Sequence, residues 1–531
     1  MLHLQVAIYI CIQRNGGAIP RGGEEVVRYV IGVDGGTESL RAHVLDFAGN
    51  SLGAAKCEYA TEFPSPGRAE QDPRDWWRAL VDAVRGATCA AGVDPRDIGA
   101  LALDTTSCSV VAADANGEPL RPAILWMDVR ATEEADLVLR TGDVALTLNC
   151  AGAGPVSAEW MIPKALWLKR HERALYERAA TIFEYQDFLV KKLTGRTVAS
   201  LTNVAIRWHY RARAGGWPRS MLAALDFADV EAKWPTEIVA AGEVIGPLTA
   251  DAAAHLGLDP STHVVQGGID AFIGMIGLGV ARPGQVALIT GSSHLQLAVT
   301  NHAMSVAGLW GSYADAVYPG RHILEGGQTA SGSMIAWLGR FIGTDADLAA
   351  LNREAAALAP GSEGLVVLDH FQGTRTPYTD SHSRGAIVGL SLGHGRAHVF
   401  RAMIEGIAFG TRAILDCMTA AGVRVDELAI GGGASRSPLW VQIHADTAGC
   451  PVKVAAFADA PVLGSAILAA VGSGAFDDID SAIDAMVRFE RVVDPDPRNG
   501  ERYSELFERY ARLYPALKAW RDGSMQPAVA D

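Results

Sequence analysis

The chain has 531 residues and a formal net charge of −14 at pH 7, and 49% of its residues are apolar and 20% charged. This length predicts two or three domains with their own cores, and the composition is that of a globular protein rather than a disordered one. Because the net charge is negative and no lysine- or arginine-rich run is present, nucleic acid and anionic membranes are disfavoured as main partners.

The N-terminal stretch and the cysteines favour a cytoplasmic protein. Residues 4–12 are apolar, but they are too few to span a bilayer and lack the basic region and cleavage site of a signal peptide. We interpret residues 1–27 as a disordered or mis-started extension, because regular patterning begins near Arg28. The seven cysteines form no C-x-x-C pair, which predicts reduced thiols.

The first elements after this extension are three predicted antiparallel strands. Residues 29–34 and 39–46 have strand patterns, and a third strand follows the turn at Gly49. A helix is predicted to begin at Asp72, which is followed by proline at the first helical position. The next strand, residues 98–103, leads into Asp104, Thr105, Thr106 and Ser107.

A similar layout recurs in the second half. A strand over residues 285–290, a turn at 291–294 and a returning strand to Thr300 are followed later by the glycine-rich segment 431–435, which precedes a helix. The repetition predicts a duplicated α/β domain with a ligand site in the cleft between the halves.

The domain bounds follow from this repetition. We expect an N-terminal domain over residues 28–278, a C-terminal domain over 279–495, and a C-terminal helix and tail over 496–531. Residues from about 140 to 265 are predicted to be a helical, polar insertion in the first half.

The two strand turns are candidate phosphate sites. A tight turn directs successive backbone N–H groups into one concavity, and the turns at Gly35–Thr37 and at residues 291–293 provide two of them. Asp34, just before the first turn, can hold Mg²⁺ through water. One such hairpin is more often purely structural, but two that face each other would clamp a triphosphate. The segment 431–435 can pass close to an adenine or ribose, or can serve only packing and capping.

Asp270 is the candidate general base. It follows a buried strand and begins a helix rich in small residues, where a carboxylate can accept a proton from a hydroxyl that attacks a phosphoryl group. The alternative role of Asp270 is a plain helix N-cap. P-loop and protein-kinase signatures are absent from the sequence.

A competing motif is G-x-S-x-G at residues 389–393, the pattern of a serine hydrolase elbow. Leucines flank its serine, and a loop that enters a helix over residues 395–416 is the better interpretation. His444 and Cys450 lack the spacing of a metal site.

Taken together, the motifs resemble those of the FGGY carbohydrate kinases from about Tyr29 to Phe489. The matching segments are residues 34–41, 70–77, 126–130, 371–377, 384–390, 401–407 and 431–434. The G-x-S-x-G match overlaps one of these segments, so the hydrolase interpretation falls away.

The resemblance implies a fold of two ribonuclease-H-like domains, as in actin-like ATPases, with ATP and sugar meeting in the interdomain cleft. It implies that Asp270 is the base and that Asp34 serves Mg²⁺. The residues implied to contact the nucleotide and its phosphates are Gly36, Thr37, Arg41, Gly291, Ser292, Gly432, Gly433 and Ala434. The residues implied to surround the sugar are Asp104, Thr105, Trp126, Lys164 and Glu325.

Several segments are similar to the ribulokinase branch of this family, including residues 104–109, 157–160 and 325–328. Glu38 departs from the usual first phosphate turn, and we expect it to point outward because an acid there would repel phosphate. The resemblance implies a kinase of a ribulose-type pentulose, with a homodimer as a family-level expectation. The alternatives are a kinase of a polyol such as erythritol or ribitol, and an ATPase of the actin or Hsp70 type without a sugar acceptor.

Overall fold

The computed structural model of the chain describes residues 27–342 and 348–524. The predicted N-terminal extension lies outside these residues except for its last position. Within the described ranges, every helix is too short or too polar to traverse a lipid bilayer.

The first half of the chain begins with β1 and ends with α9. Its elements are β1 (Tyr29–Gly35), β2 (Ser39–Asp46), β3 (Ser51–Glu58), β4 (Glu70–Gln71), α1 (Pro73–Ala91), β5 (Ile98–Thr105), β6 (Val110–Ala113), β7 (Ala123–Ile124), α2 (Thr132–Arg140), α3 (Met161–His171), α4 (Arg173–Arg178), β8 (Thr181–Glu184), α5 (Tyr185–Thr194), β9 (Val198–Ser200), α6 (Leu201–Arg207), α7 (Arg219–Ala224), β10 (Glu237–Val239), β11 (Val244–Pro247), α8 (Ala250–Leu256), β12 (His263–Val265) and α9 (Asp270–Gly277).

The second half begins with β13 and ends with a long helix. Its elements are β13 (Gly284–Thr290), β14 (His294–Thr300), β15 (Trp310–Ala314), β16 (His322–Gln328), α10 (Gly332–Phe341), α11 (Leu348–Ala356), β17 (Val366–Leu368), β18 (Ala386–Val388), α12 (Arg396–Ala420), β19 (Val425–Gly432), α13 (Pro438–Ala448), β20 (Val452–Ala455), α14 (Ala460–Gly472), α15 (Ile479–Met486), β21 (Phe489–Val493) and α16 (Pro497–Arg521).

The main sheets of the two halves share one topology. The first has the strand order β11-β12-β5-β1-β2-β3, and the second has β15-β16-β14-β13-β19-β20-β21. In each half an antiparallel meander (β1-β2-β3 or β13-β14-β16) is extended by two parallel strands (β5 and β12, or β19 and β20). The predicted fold of two ribonuclease-H-like domains is therefore confirmed.

The segment from 140 to 265 is more than the helical, polar insertion that we predicted. It does contain α3 to α8, but β12 pairs in parallel with β5 in the main sheet, and β11 pairs with β12 at the sheet edge. Much of α3 and α5 is buried. Short strands and the buried Lys164 hid this part of the core from sequence patterning.

Two central helices join the halves. A Cβ on Gly464 of α14 would lie 2.0 Å from the carbonyl oxygen of Ile273 in α9, and a Cβ on Gly277 would lie 2.0 Å from that of Ala460. Glycine thus lets the two helices cross at backbone contact. Although α14 comes from the second half of the chain, it packs on β1 and β5 of the first sheet.

The remaining helices cover the outer faces. In the first half, α1, α5 and α8 enclose one hydrophobic core with the first sheet. In the second, α12, α13 and α16 enclose another core with the second sheet. Because β1, β5, β13 and β19 all end at the space between the halves, their last residues are placed to build a site there.

Candidate active site

A cavity of about 1000 Å³ lies between the halves. It is lined by residues from both domains, and most of the predicted site residues are among them. Those that line it are Asp34, Gly36, Thr37, Arg41, Trp126, Asp270, Gly291, Glu325 and Gly432.

The other predicted site residues do not line this cavity. They are Asp104, Thr105, Lys164, Ser292, Gly433 and Ala434. Ser292 and Gly433 are exposed beside it, whereas Asp104, Thr105 and Lys164 are fully buried. Nine of the fifteen predicted site residues therefore line the cavity and six do not; the roles assigned to them stay predictions.

Lys164 lies beneath the cavity instead of projecting into it. Its Nζ donates to the carbonyl oxygens of Cys108, at 2.8 Å, and Leu125, at 2.5 Å. Burial lowers the pKa of Lys164 to about 8. Cys108, which lines the cavity, lies just before β6, and Leu125 lies between β7 and the lining residue Trp126. The ammonium group of Lys164 therefore fixes two backbone segments that carry lining residues.

Two carboxylates form the acidic floor of the first half. Asp34 and Asp104 are register partners on the parallel strands β1 and β5, and both are buried. Asp104 accepts from Ser465 Oγ at 2.7 Å, while its Oδ1 has no hydrogen-bond partner. Burial and the charge of Asp34 raise the pKa of Asp104 well above its usual range.

This pair fits a magnesium ion. Asp34 reaches the cavity and Asp104 lies behind it, with one carboxyl oxygen of Asp104 left without a hydrogen-bond partner. Among the described residues, no three His, Cys, Asp or Glu side chains are grouped so as to hold a metal by themselves. Mg²⁺ typically binds through one or two carboxylates, with phosphate oxygens and water completing its shell.

Arg41 connects the two halves beside this floor. Its Nη1 donates to Asp459 Oδ1 at 2.6 Å, and its Nε lies 3.3 Å from Asp34 Oδ2. Asp459 immediately precedes α14 of the second half, so one guanidinium group from β2 neutralises a carboxylate from each domain.

The first hairpin turn is anchored on both sides. Trp126 Nε1 donates to Thr37 Oγ1 at 3.0 Å, and Gln71 Nε2 donates to the carbonyl oxygen of Thr37 at 2.7 Å. Tyr59 Oη donates to the carbonyl oxygen of Gly36 at 2.5 Å. Glu38 is exposed and does not line the cavity, in agreement with the expected outward direction.

The second hairpin turn packs against the start of α10. The backbone N–H of Ser331 donates to the carbonyl oxygen of Ser292 at 2.9 Å, and that of Gly332 donates to the carbonyl oxygen of Gly291 at 3.2 Å. Next to this turn, Gly432 has φ +93, and a Cβ there would lie 2.0 Å from the carbonyl oxygen of Thr290. Only glycine fits this position.

Asp270 is the first residue of α9 and faces the cavity from its partly exposed position. Its Oδ1 accepts from the backbone N–H of the next residue, Ala271, at 2.7 Å, and Asp270 is not the N-cap, which is Ile269. Burial, with a smaller contribution from the charge of Asp34, raises the pKa of Asp270 to about 7. A carboxylate with this pKa can accept a proton near neutral pH.

Glu325 has a partner that sequence reasoning missed. Arg207 at the end of α6 donates from Nη2 to Glu325 Oε1 at 2.8 Å and from Nη1 to Oε2 at 3.0 Å. Tyr313 Oη also donates to Oε2, at 3.1 Å. Burial opposes ionisation of Glu325, but Arg207 holds its pKa below the usual value. Both members of this ion pair line the cavity.

Comparison with known proteins identifies the class. The family model described as the N-terminal domain of the FGGY family of carbohydrate kinases matches residues 29–277, and that of the C-terminal domain matches residues 286–473. The chain belongs to the FGGY family of carbohydrate kinases. It is an ATP-dependent sugar kinase that uses ATP with Mg²⁺.

Individual relatives agree with this assignment. A ribulokinase of Geobacillus thermodenitrificans is 31% identical, with 92% of this chain and 94% of the relative covered. A human FGGY carbohydrate kinase domain-containing protein is 31% identical, with 93% and 97% covered. Among solved structures, a xylulose kinase from Rhodospirillum rubrum superposes with a TM-score of 0.80 at 28% identity, with 93% and 99% covered.

Proposed function

We propose that this sugar kinase phosphorylates a hydroxyl group of a ribulose-type pentulose, with Asp270 as the general base. The observation on which the proposal rests is the position of Asp270, at the start of α9, in a cavity that both hairpin turns adjoin. The similarity to ribulokinases and a xylulose kinase supports a ketopentose as the acceptor.

In the proposed reaction, the hydroxyl oxygen of the sugar attacks the γ-phosphorus of ATP, and Asp270 accepts the proton of that hydroxyl. One P–O bond forms to the sugar, the bond between the γ-phosphorus and the bridging oxygen breaks, and ADP leaves with that electron pair. When bound, Mg²⁺ neutralises charge on the phosphate oxygens. Asp34 would hold it, with Asp104 behind.

In this proposal the two hairpin turns bind and orient the phosphates of ATP. Gly36 and Thr37 face the cavity from the first domain, and Gly291 faces it from the second. Arg41 adds a positive charge that is already shared between the domains through Asp34 and Asp459. Positioning and charge neutralisation of this kind supply most of the acceleration of phosphoryl transfer.

The acceptor end contains the Arg207–Glu325 ion pair and Trp126. The guanidinium and carboxylate offer donors and an acceptor for sugar hydroxyl or keto oxygens, while the indole of Trp126 packs on the carbon chain. Lys164 supports this wall through Cys108 and Leu125, so we assign it a positioning role rather than direct contact.

The test is an ADP-release assay over a panel of ketopentoses and four- or five-carbon polyols, with wild-type protein and Asp270→Asn. We expect one ketopentose to raise ATP turnover well above the rate without sugar, and the substitution to abolish the increase. Nucleotide binding by the variant, measured by calorimetry, is the control for folding.

Other outcomes would change the assignment. If a polyol such as erythritol or ribitol is the preferred acceptor, the pentulose proposal fails and the base proposal stands. If every acceptor leaves ATP turnover at the rate without sugar while nucleotide still binds, the pentulose proposal fails and the acceptor pocket has been wrongly interpreted.

A further inference from the structure

A long connection between β17 and β18 forms one wall of the cavity. We call this segment, residues 369–385, the strap. Its lining residues are Gln372, Thr374, Arg375, Thr379 and Ser381. Connections of this length without their own helix or strand are uncommon in a compact domain and are often functional.

The strap faces the acceptor end of the cavity. The side chain of Arg375 lies beside Gly327, two residues after Glu325: a Cβ added to Gly327 would be 3.6 Å from Cδ of Arg375. Thr379 Oγ1 lies 3.8 Å from Sγ of Cys150 in the first domain. The strap therefore runs from the wall beside Glu325 to the opposite domain.

The carboxylate of Asp380 organises the turn at the end of the strap. It accepts backbone N–H groups from His382 at 2.9 Å and Ser383 at 3.1 Å. The backbone of Asp380 also exchanges two hydrogen bonds with Thr374, at 3.0 and 2.9 Å. Asp380 lies between two lining residues but does not line the cavity itself.

The C-terminal helix α16 holds this carboxylate from outside. Tyr514 Oη and Arg521 Nη2 both donate to Asp380 Oδ2 at 3.0 Å. The ring of Tyr514 stacks on that of Tyr378 with centroids 4.1 Å apart, and Tyr510 Oη donates to Asp369 Oδ1 at 2.6 Å. The helix thus bonds to the first residue of the strap and to its last turn.

We propose that α16, through Tyr514 and Arg521, positions the strap against the sugar acceptor, with Asp380 as the positioning residue. The helix lies beyond residue 473, where the match to the family model ends. The inference rests on the proposed function only in that the strap is taken to face the sugar acceptor. The attachment itself depends on contacts within the second half.

The physical reason is that the strap contains no regular helix or strand. Its shape depends on side-chain contacts as well as on a few backbone hydrogen bonds, such as that from the N–H of Thr376 to the carbonyl oxygen of Gly327 at 3.2 Å. When one donor is removed, the Asp380 turn samples more conformations, and the lining residues on both sides lose their fixed distance to the acceptor. A loss of positioning weakens acceptor use far from the bonds that react. ATP lies toward the hairpin turns, so its binding should be little affected.

The experiment compares Tyr514→Phe and Arg521→Gln with Arg509→Gln. The phenylalanine keeps the ring stack with Tyr378 and removes only the hydroxyl. Arg509 is an exposed residue of the same helix and forms no hydrogen bond or ion pair with the described residues of the strap. Its replacement therefore removes the same charge from the same helix as Arg521→Gln does.

Two readouts are measured. By hydrogen–deuterium exchange, we expect strap amides to exchange about tenfold faster in the two test variants and unchanged in the control. In steady-state kinetics, we expect the KM for the acceptor to rise about tenfold, with kcat within about threefold and the KM for ATP unchanged. Arg521→Lys, which keeps the charge, should recover part of the loss.

Contrary results are equally clear. If strap exchange and acceptor KM in both test variants match those of Arg509→Gln, α16 is only a packing element and the inference is wrong. If wild-type protein phosphorylates no sugar, the proposed function fails, and the exchange measurement alone decides whether α16 holds the strap.

Discussion

The two domains share a topology but carry opposite chemistry at the same strand ends. In the first domain, Asp34 is the penultimate residue of β1 and its register partner on β5 is Asp104. The helix α9 starts with Asp270. In the second, β13 ends with Thr290, whose register partner on β19 is Gly432. At the strand ends, two acids occupy the first domain, whereas a hydroxyl and a glycine occupy the second. The helix starts differ less, because Asp459 precedes α14 as Asp270 begins α9.

This difference shows how a duplicated fold divides its work. Carboxylates provide a proton acceptor and ligands for a cation, so the first domain is suited to the reacting groups. Gly432 lets a ligand or backbone approach closely, because a side chain there would collide with the carbonyl oxygen of Thr290. The fold fixes where a site forms, and the residues at the strand ends decide its chemistry.

The largest expected effect on activity comes from replacing the aspartate at the start of α9 by asparagine, compared with the same replacement at the start of α14. Asp270 begins α9 and Asp459 precedes α14. Loss of a general base typically costs 10²- to 10⁴-fold in rate, so Asp270→Asn should lower kcat by about that amount. Asp459→Asn should lower it less than about tenfold, measured by the same ADP-release assay. Equal losses would show that the proposed asymmetry is wrong.

The pH profile tests the same carboxylate without mutation. Because a base must be ionised to accept a proton, activity should be lost as pH falls through the pKa of Asp270, about 7. We expect kcat/KM to fall about tenfold per pH unit below that value, or about 100-fold at pH 5. An acid limb near pH 4 would exclude Asp270 in this environment as the titrating group.

A pair of neighbouring glycines sharpens the comparison in the second domain. Gly432 has positive φ and no room for a Cβ, whereas a Cβ on Gly433 would meet nothing within 4 Å. Gly432→Ala should therefore lower the free energy of unfolding by about 2 kcal/mol or more and raise the KM for ATP. Gly433→Ala should be close to neutral in thermal denaturation. Similar losses in both variants would contradict this assignment.

The smallest effect is expected at the bridge between the domains. Arg41 bonds to Asp459 and lies beside Asp34, a geometry that the single ammonium group of lysine cannot reproduce. Arg41→Lys should raise the KM for ATP by roughly threefold to tenfold, measured in the coupled assay. Arg74→Lys, at an exposed position on α1, is the control and should behave as wild type.

The main strands and both hairpin turns were predictable because buried strands and glycine turns are local patterns. The predicted strand at residues 39–46 coincides with β2, and the helix after Asp72 begins at Pro73 with that aspartate as its cap. Asp270 was also found locally, since it follows a buried strand and starts a helix.

The ion pair of Arg207 and Glu325 was not predictable, although Glu325 itself was, because the two residues are remote in sequence. Arg207 and Glu325 are 118 residues apart, and nothing near either residue signals the other. The charge of Lys164 suggested contact with a sugar, but its ammonium group is satisfied by two carbonyl oxygens inside the core. Local patterns specify elements, whereas the direction of a side chain depends on the packed fold.

The crossing of α9 and α14 has a consequence during synthesis on the ribosome. Gly32 in β1 packs against the carbonyl oxygen of Val462 in α14, about 430 residues later. At 5–20 residues per second, β1 is synthesised roughly 20 to 90 seconds before the helix that covers it. During that interval the face of β1 and β5 on which α14 packs lacks its covering helix, so the first domain cannot complete its core before nearly the whole chain has been made.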